Sequence, residues 1–277
     1  MKNHKNDFPL VSFIIPFYNH NHFVKQTLDS ILEDTYPNKE IIIINDGSPN
    51  PDDSNIIEWI EKNTNKIYVN YIKRENKGVT KTLNELIDLS KGKYIAVCAS
   101  DDYFINNTIT KRVQILESNP NKLLLLSDNI VINDNGEKIF DSNLFQLRNV
   151  KREYFNTDRG LKYATIKYWS LAGACYIVNR KIFDIIGKYN EDLIVEDWDF
   201  FLRVVANDLA LFYDEKVSAY RLHENNAISN KSLDNRREED MAKSAKLNIK
   251  YFKSPYFKFL LWKKYYKSMK KLKNVKS

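Results

Sequence analysis

Short apolar, β-branched runs alternate with stretches of helical periodicity through the first hundred or so residues. Val11–Pro16 (VSFIIP) reads as a buried strand. From Phe23 to Leu32, the apolar positions Phe23, Val24, Leu28, Ile31 and Leu32 recur at the spacing of one helical face. Glu40–Asn45 (EIIIIN) predicts a second strand, ended by the turn Asp46-Gly47-Ser48. Asn55–Lys62 predicts a helix and Lys66–Lys73 (KIYVNYIK) a third strand. Val79–Leu89 places Val79, Leu83, Leu86 and Ile87 on one helical face, with Gly92 closing it, and Tyr94–Ala99 follows as a strand.

The second half is less regular. Leu123–Leu126 predicts a strand running into Ser127-Asp128, with a turn at Asn135-Gly136. Residues 141–168 are polar and tyrosine-rich, the pattern of long loops with short helices. Ala174–Val178 predicts a strand, then a helix ends near Gly187. Val195–Asn207 (VEDWDFFLRVVAN) opens acidic and continues with the apolar stripe Trp198, Phe201, Leu202 and Val205, and Val217–Leu222 predicts a last strand.

Strand–helix alternation of this kind predicts an α/β protein with a mostly parallel central sheet flanked by helices. Ligands of open α/β sheets bind beyond the carboxyl ends of the strands. Three such ends carry polar punctuation: Pro16-Phe17-Tyr18-Asn19, Asn45-Asp46-Gly47-Ser48 and Ser100-Asp101-Asp102.

Composition narrows the chemistry. The chain has 277 residues, 43% of them hydrophobic, enough for a substantial core. Two cysteines without a CxxC pair and four histidines exclude a zinc ribbon or a disulfide framework. Both Cys98 and Cys175 fall in predicted strands, as expected of buried thiols in a reducing compartment. Glycine numbers only seven, and neither GxGxxG nor GxxxxGK[ST] occurs, so a backbone cradle for phosphates is not supported. A divalent cation bridging a diphosphate to carboxylates is the alternative, and Mg²⁺ or Mn²⁺ suits it. Asp101-Asp102 fits such a ligand set, although adjacent aspartates after a strand equally cap helices. Asp46 alone is an ordinary turn residue.

The segments VSFIIPFYN (11–19), EIIIINDGS (40–48), NKGVTKTLNELIDLSKGKYIAVCASDD (76–102) and VEDWDFFLR (195–203) occur in order and together resemble the family 2 glycosyltransferases. That resemblance spans roughly residues 10–225 and implies the GT-A fold with an inverting, metal-dependent transfer of a hexosyl or N-acetylhexosaminyl group. It implies a domain over 1–225, with a nucleotide-sugar half at about 10–105 and an acceptor half at 106–225. Pro16, Phe17, Tyr18 and Asn19 would wrap the nucleobase and ribose, the Tyr18 ring offering a flat face for stacking. Asp46 would accept a hydrogen bond from the base, uracil in many members. Asn45 stands where the family usually has a further aspartate. Asp101 would contact ribose or metal-bound water, and Asp102 would bind Mn²⁺ or Mg²⁺ directly. Asp197, at a helix start that favours the ionised carboxylate, would be the catalytic base. Trp198 and Asp199 would line the acceptor side or support the helix, and Arg203 would hold the acidic cluster. His223, in Tyr220-Arg221-Leu222-His223, is read as a further metal ligand or diphosphate contact, or as a structural histidine; His20 and His22 are read as loop residues. Lys73, Arg74, Lys77 and Lys81 flank the region, as diphosphate contacts or as solvated surface. The implied partners are a nucleotide-sugar donor, UDP-linked, and a glycan or lipid-linked acceptor of surface polysaccharide synthesis. A sugar nucleotidyltransferase, which can share a similar sheet, would carry a glycine- and arginine-rich N-terminal loop, and residues 11–25 lack one.

Charge sets the last segment apart. Residues 250–277 hold ten lysines and no acidic residue, so of the formal net charge of +7 the tail accounts for more than the whole. With residues 226–249 it forms a basic, aromatic helical extension, 226–277. The stretch after Pro255 predicts a helix whose Phe257, Leu260, Leu261, Tyr265 and Met269 side dips into an anionic membrane surface. The competing readings are a helix packed on the body and a nucleic-acid contact; the resemblance favours the membrane, with no nucleic-acid partner. No stretch predicts a signal peptide or a membrane span, so the expected location is cytoplasmic, peripheral at the inner face of the cell membrane.

Overall fold

A computed structural model describes residues 8–49, 53–105, 107–168, 173–224, 226 and 231–276. The first half follows the predicted alternation closely. Strand β1 (Val11–Phe17) leads through helix α1 (Asn21–Glu33) to β2 (Lys39–Asp46), and α2 (Ser54–Asn63) leads to β3 (Tyr68–Arg74). Helix α3 (Val79–Leu89) then returns the chain to β4 (Tyr94–Val97). The short β5 (Tyr103–Phe104) and α4 (Ile109–Ser118) precede β6 (Leu124–Ile132) and β7 (Lys138–Phe140). After α5 (Asp158–Tyr168) come β8 (Tyr176–Asn179), α6 (Ile182–Ile186), α7 (Glu196–Ala206) and β9 (Ala210–Arg221). Helices α8 (Asp234–Asn248) and α9 (Pro255–Lys276) complete the fold.

The strands form one sheet in the order β3-β2-β1-β4-β8-β6-β9-β5, with β7 paired to β6. Strands β3, β2, β1 and β4 are all parallel neighbours. Strand β8 enters antiparallel to both β4 and β6, and β6 then runs parallel to β9. The sheet is therefore mixed as a whole and parallel where its carboxyl ends meet.

Strand periodicity sorts the apolar side chains onto two faces. Phe13, Ile15, Ile41 and Ile43 pack with α1, α2 and α4 residues such as Leu28, Trp59 and Val113. Ile14, Ile42, Ile44 and Ile95 instead join Leu83 and Leu86 of α3, Phe201 of α7 and, from the extension, Ala245, Phe257 and Leu261. Both faces are thus covered, which is why these strands read as near-continuous apolar runs.

Strands β6 and β9 are longer than their apolar runs predict. The polar residues Ser127, Asp128 and Asn129 are buried within β6. Asp128 accepts hydrogen bonds from Ser142 Oγ (2.6 Å) and Leu144 N (3.1 Å), and Asn129 donates to Ser218 Oγ (3.2 Å) of β9. The strand continues because these groups find partners inside. The 141–168 region, predicted as loops with short helices, holds a π-helical turn (Asn143–Leu147), a 3₁₀ turn (Arg152–Asn156) and the eleven-residue α5.

The extension packs on the body. Helix α9 lies against α8 and α5, with Phe257 and Leu261 buried and Leu260 and Tyr265 half-buried against the same core. Of the face predicted to enter a membrane, these four side chains are taken up by the protein's own core. No helix among the described residues is long and apolar enough to cross a membrane.

Candidate active site

The site is built where the carboxyl ends of β1, β2 and β4 meet the segment after β9. At the end of β1, Phe17 is wholly buried in the core while Tyr18 is 48% exposed, so of the two rings only that of Tyr18 is open to solvent. Asn19 adopts a left-handed backbone (φ 58°), a conformation asparagine tolerates better than most side chains. Its N–H donates to Ser48 Oγ (2.9 Å), and Ser48 Oγ in turn donates to Asn45 Oδ1 (2.8 Å). Asn45 Nδ2 donates to Asp53 Oδ1 (2.9 Å), whose other oxygen is paired with Lys73 Nζ at 2.6 Å. An asparagine at position 45 thus donates and accepts at once. An aspartate there would set two carboxylates against each other.

Asp46 is pinned from the other side. Its carboxylate receives the Arg74 guanidinium, Lys77 N (2.8 Å) and Gly78 N (3.0 Å), the last two just ahead of α3. Its carbonyl accepts from Asn76 Nδ2 at 2.7 Å. Gly47 (φ +72°) is packed so closely on this loop that a Cβ would lie 2.5 Å from Asn76 N. Arg74 also pairs with Glu85, and Lys77 lies 3.6 Å from the same carboxylate.

The Ser100-Asp101-Asp102 turn follows β4 and is held from α1, where Thr27 Oγ1 donates to the Asp102 carbonyl at 2.6 Å. The two aspartates face different ways. Asp102 is buried, and its Oδ1 accepts the Arg221 backbone N–H at 2.9 Å. Burial and the neighbouring Asp101 push its carboxyl well above the ordinary range. Asp101 turns toward two histidines: His223 Nε2 lies 2.9 Å from Oδ2, and His20 Nδ1 lies 3.9 Å from Oδ1. One ligand atom from each of His20, Asp101 and His223 falls within 4.8 Å of the others. The two imidazoles meet edge to face at 5.5 Å. Burial lowers the His20 pKa, against the opposing pull of Asp101, and so favours a neutral ring.

Arg221 braces the turn. Its Nε donates to the Asp101 carbonyl (3.0 Å), its Nη2 to Gln26 Oε1 (2.6 Å), and its guanidinium lies 4.5 Å from the centre of the Phe23 ring. An open cavity of about 530 Å³ lies beside the cluster, lined by Asn133, Asp134, Asn135, Leu222, His223, Glu224 and Asn226.

Glu196 and Asp197 occupy the first turn of α7, where Asp197 Oδ1 accepts Trp198 N at 2.7 Å. Burial and the adjacent Asp197 push the Glu196 carboxyl well above its ordinary range. The segment entering α7 is tied to α3. Thr80 Oγ1 donates to the Leu193 carbonyl (3.0 Å), and the Asn84 amide bonds both backbone groups of Tyr189. Behind the acid pair, Trp198 is buried with Nε1 donating to the Thr165 carbonyl at 2.9 Å. Asp199 pairs with Arg203 (3.0 Å) and accepts from Asn248 Nδ2 of α8 (2.7 Å). Trp198 and Asp199 therefore support the helix, one of the two roles expected for them, and Arg203 holds Asp199 of the acidic segment.

The structure sets His223 against Asp101, the residue expected at ribose or metal-bound water, rather than against Asp102, the expected direct metal ligand, which is buried and bonded to the Arg221 backbone N–H; it also adds His20, expected to be a loop residue. Its signal was its place, directly after the strand-end segment Pro16–Asn19, rather than any metal-ligand spacing.

The family model described as Glycosyl transferase family 2 matches residues 12–187. An uncharacterized glycosyltransferase of Rickettsia prowazekii is 29% identical over 218 residues, 78% of this chain and 64% of that protein. The chain thus spans less than two thirds of that relative's length. The crystal structure of Staphylococcus aureus TarS 1-349 in complex with UDP-GlcNAc superposes with a TM-score of 0.70 at 18% identity, covering 94% of this chain and 71% of that one. The mannosyltransferase PcManGT from Pyrobaculum calidifontis, in complex with GDP-Man and Mn²⁺, gives 0.66 at 19% identity, covering 94% and 70%. At these identities the likeness establishes the shared fold.

Proposed function

The chain belongs to glycosyl transferase family 2, and from that premise we propose that it is an inverting, metal-dependent glycosyltransferase. It moves a hexosyl or N-acetylhexosaminyl group from a nucleotide-diphosphate donor, UDP-linked, to a hydroxyl of a glycan or lipid-linked acceptor in surface polysaccharide synthesis. Residues 10–105 hold the donor and 106–225 present the acceptor. The enzyme is cytoplasmic and peripheral, brought to the inner face of the cell membrane by residues 250–277.

The observation that carries this reading is the cluster of His20, Asp101 and His223 at the carboxyl ends of the parallel strands. Two imidazole nitrogens and a carboxylate oxygen are a donor set that suits a divalent transition ion, and it fits Mn²⁺ better than Mg²⁺, which prefers oxygen ligands. When bound, the ion supplies Lewis acidity for the departing diphosphate. Asp102 supports the site by holding the backbone N–H of Arg221. The pinned Asp46 presents the base-binding side, and the exposed Tyr18 ring stacks on the nucleobase.

Chemistry then needs one base. The acceptor oxygen attacks the anomeric carbon as the bond to the diphosphate oxygen breaks, and the acceptor proton passes to the Asp197 carboxylate. The TarS complex with UDP-GlcNAc and the PcManGT complex with GDP-Man and Mn²⁺ support a nucleotide-sugar donor and a metal on this fold. Calorimetric titration with UDP in the presence and absence of Mn²⁺ tests the reading. Tight, Mn²⁺-dependent UDP binding is expected; binding that ignores the ion, or none at all, rejects it.

A further inference from the structure

Helix α9 shows two sides of opposite character. Its inner side packs Phe257, Leu261 and Ser268 against the body. On its outer side stand Tyr256 (46% exposed), Phe259 (63%), Trp262 (39%) and Tyr266 (65%). Steps of three, three and four residues align these four rings as one ridge along the helix. So many large apolar side chains on one ridge are far from the scattered apolar exposure of an ordinary surface.

The surroundings of the ridge are cationic. Lys263, Lys267 and Lys270 are exposed along it, and residues 250–277 contain no acidic residue. Charge complementarity therefore demands an anionic partner. Between the anionic candidates, the rings decide. Trp262 and Tyr266 stack on each other at 5.7 Å, and Tyr265 meets both edge to face at 5.6 and 5.2 Å. Nucleobase binding needs ring faces open to receive bases. Here Trp262 and Tyr266 each give one face to the other, and the exposed ridge of rings is flanked by ammonium groups. That is the chemistry of a helix lying in the headgroup region of a bilayer.

We propose that the Tyr256–Phe259–Trp262–Tyr266 ridge is the surface by which the protein lies on an anionic lipid bilayer, α9 parallel to the membrane plane. The ridge is distinct from the Phe257–Leu261 side, so docking requires no unpacking of the helix. This deepens the peripheral location proposed above and does not depend on the sugar chemistry. The full-length protein is sedimented with vesicles of phosphatidylcholine alone and of phosphatidylcholine with phosphatidylglycerol. Binding to the anionic vesicles only, weakened by high salt, is expected. The double variant Phe259→Ser/Tyr266→Ser should bind them at least about tenfold more weakly. Mn²⁺-dependent UDP binding, read in parallel, should be the same in both proteins, so failure of the glycosyltransferase reading shows separately from failure of this one. The proposal is overturned if the wild type ignores anionic vesicles or if the double variant binds them equally well. It is also overturned if the substitutions abolish binding to a single-stranded oligonucleotide or self-association of the chain instead.

Discussion

The Nε2 atom of His223 lies 2.9 Å from Oδ2 of Asp101, although the two residues are 122 positions apart in the chain. The contact closes the segment after β9, the last strand, onto the turn after β4. Through His20 it also reaches the end of β1. Three separate stretches of sequence thus share one carboxylate.

If that carboxylate anchors the ion, Asp101→Asn removes a charge while keeping the shape. Mn²⁺-dependent UDP affinity should fall at least about tenfold. His20→Ala should weaken it too, whereas a merely structural loop histidine would leave the Mn²⁺ dependence intact. Calorimetry on the two variants separates these outcomes.

Asp197→Asn retains an oxygen for the Trp198 N–H but cannot take a proton. Turnover should drop by about 10²–10⁴-fold with UDP affinity unchanged. A variant that keeps wild-type kcat would remove Asp197 from the chemistry.

The raised Glu196 pKa has a stability consequence. Burial and Asp197 make the folded state hold this proton more tightly than the unfolded chain does. Its contribution is fully present at pH values below the ordinary glutamate pKa and is lost as pH rises from there through the raised value. Glu196→Gln stays neutral throughout. It should therefore gain about 2–5 °C in Tm over wild type at mildly alkaline pH, with the difference vanishing in acid. A pH-independent offset between the two melting curves would contradict this.

Arg203 is the cation of a buried network. It pairs with Asp199 at 3.0 Å and donates to the carbonyls of Ile186, Gly187 (3.1 Å) and Lys188 (2.8 Å). Arg203→Ala leaves the buried Asp199 carboxylate without its cation, held only by neutral donors such as Asn248, and deprives three carbonyls of a donor, so urea unfolding should show a loss of about 3–5 kcal/mol. A loss below about 1 kcal/mol would mean that water reaches Asp199 freely.

Much of the first hundred residues was legible because β1, β2 and β4 are buried on both faces and read as apolar runs, and because each run stops at a polar turn. Val79–Leu89 was predicted to the residue. The departure at Asn45 was visible but not its reason, which lies in Asp53, a partner eight residues on across a loop. Periodicity carries no information about which distant loops touch, so His20 beside Asp101 was not legible. Nor was the antiparallel entry of β8 between β4 and β6, since a four-residue strand has no direction in its sequence. Strand β6 was cut short at Leu126 because Ser127-Asp128-Asn129 reads as a turn until Ser142, Leu144 and Ser218 supply hydrogen bonds. In the tail, charge was read correctly and facing was not. The apolar residues Phe257 and Leu261 serve the core, leaving the aromatics on the other side exposed.

Asn248 of α8 reaches back to Asp199 of α7 at 2.7 Å, and Lys264 of α9 sits 5.6 Å from the centre of the Trp198 ring. The C-terminal helices are therefore not a detachable handle. Cutting the chain ahead of α8 would open the floor beneath the very helix that bears Glu196 and Asp197. Any trimmed form that is to stay catalytic must carry α8 and the inner side of α9 with it.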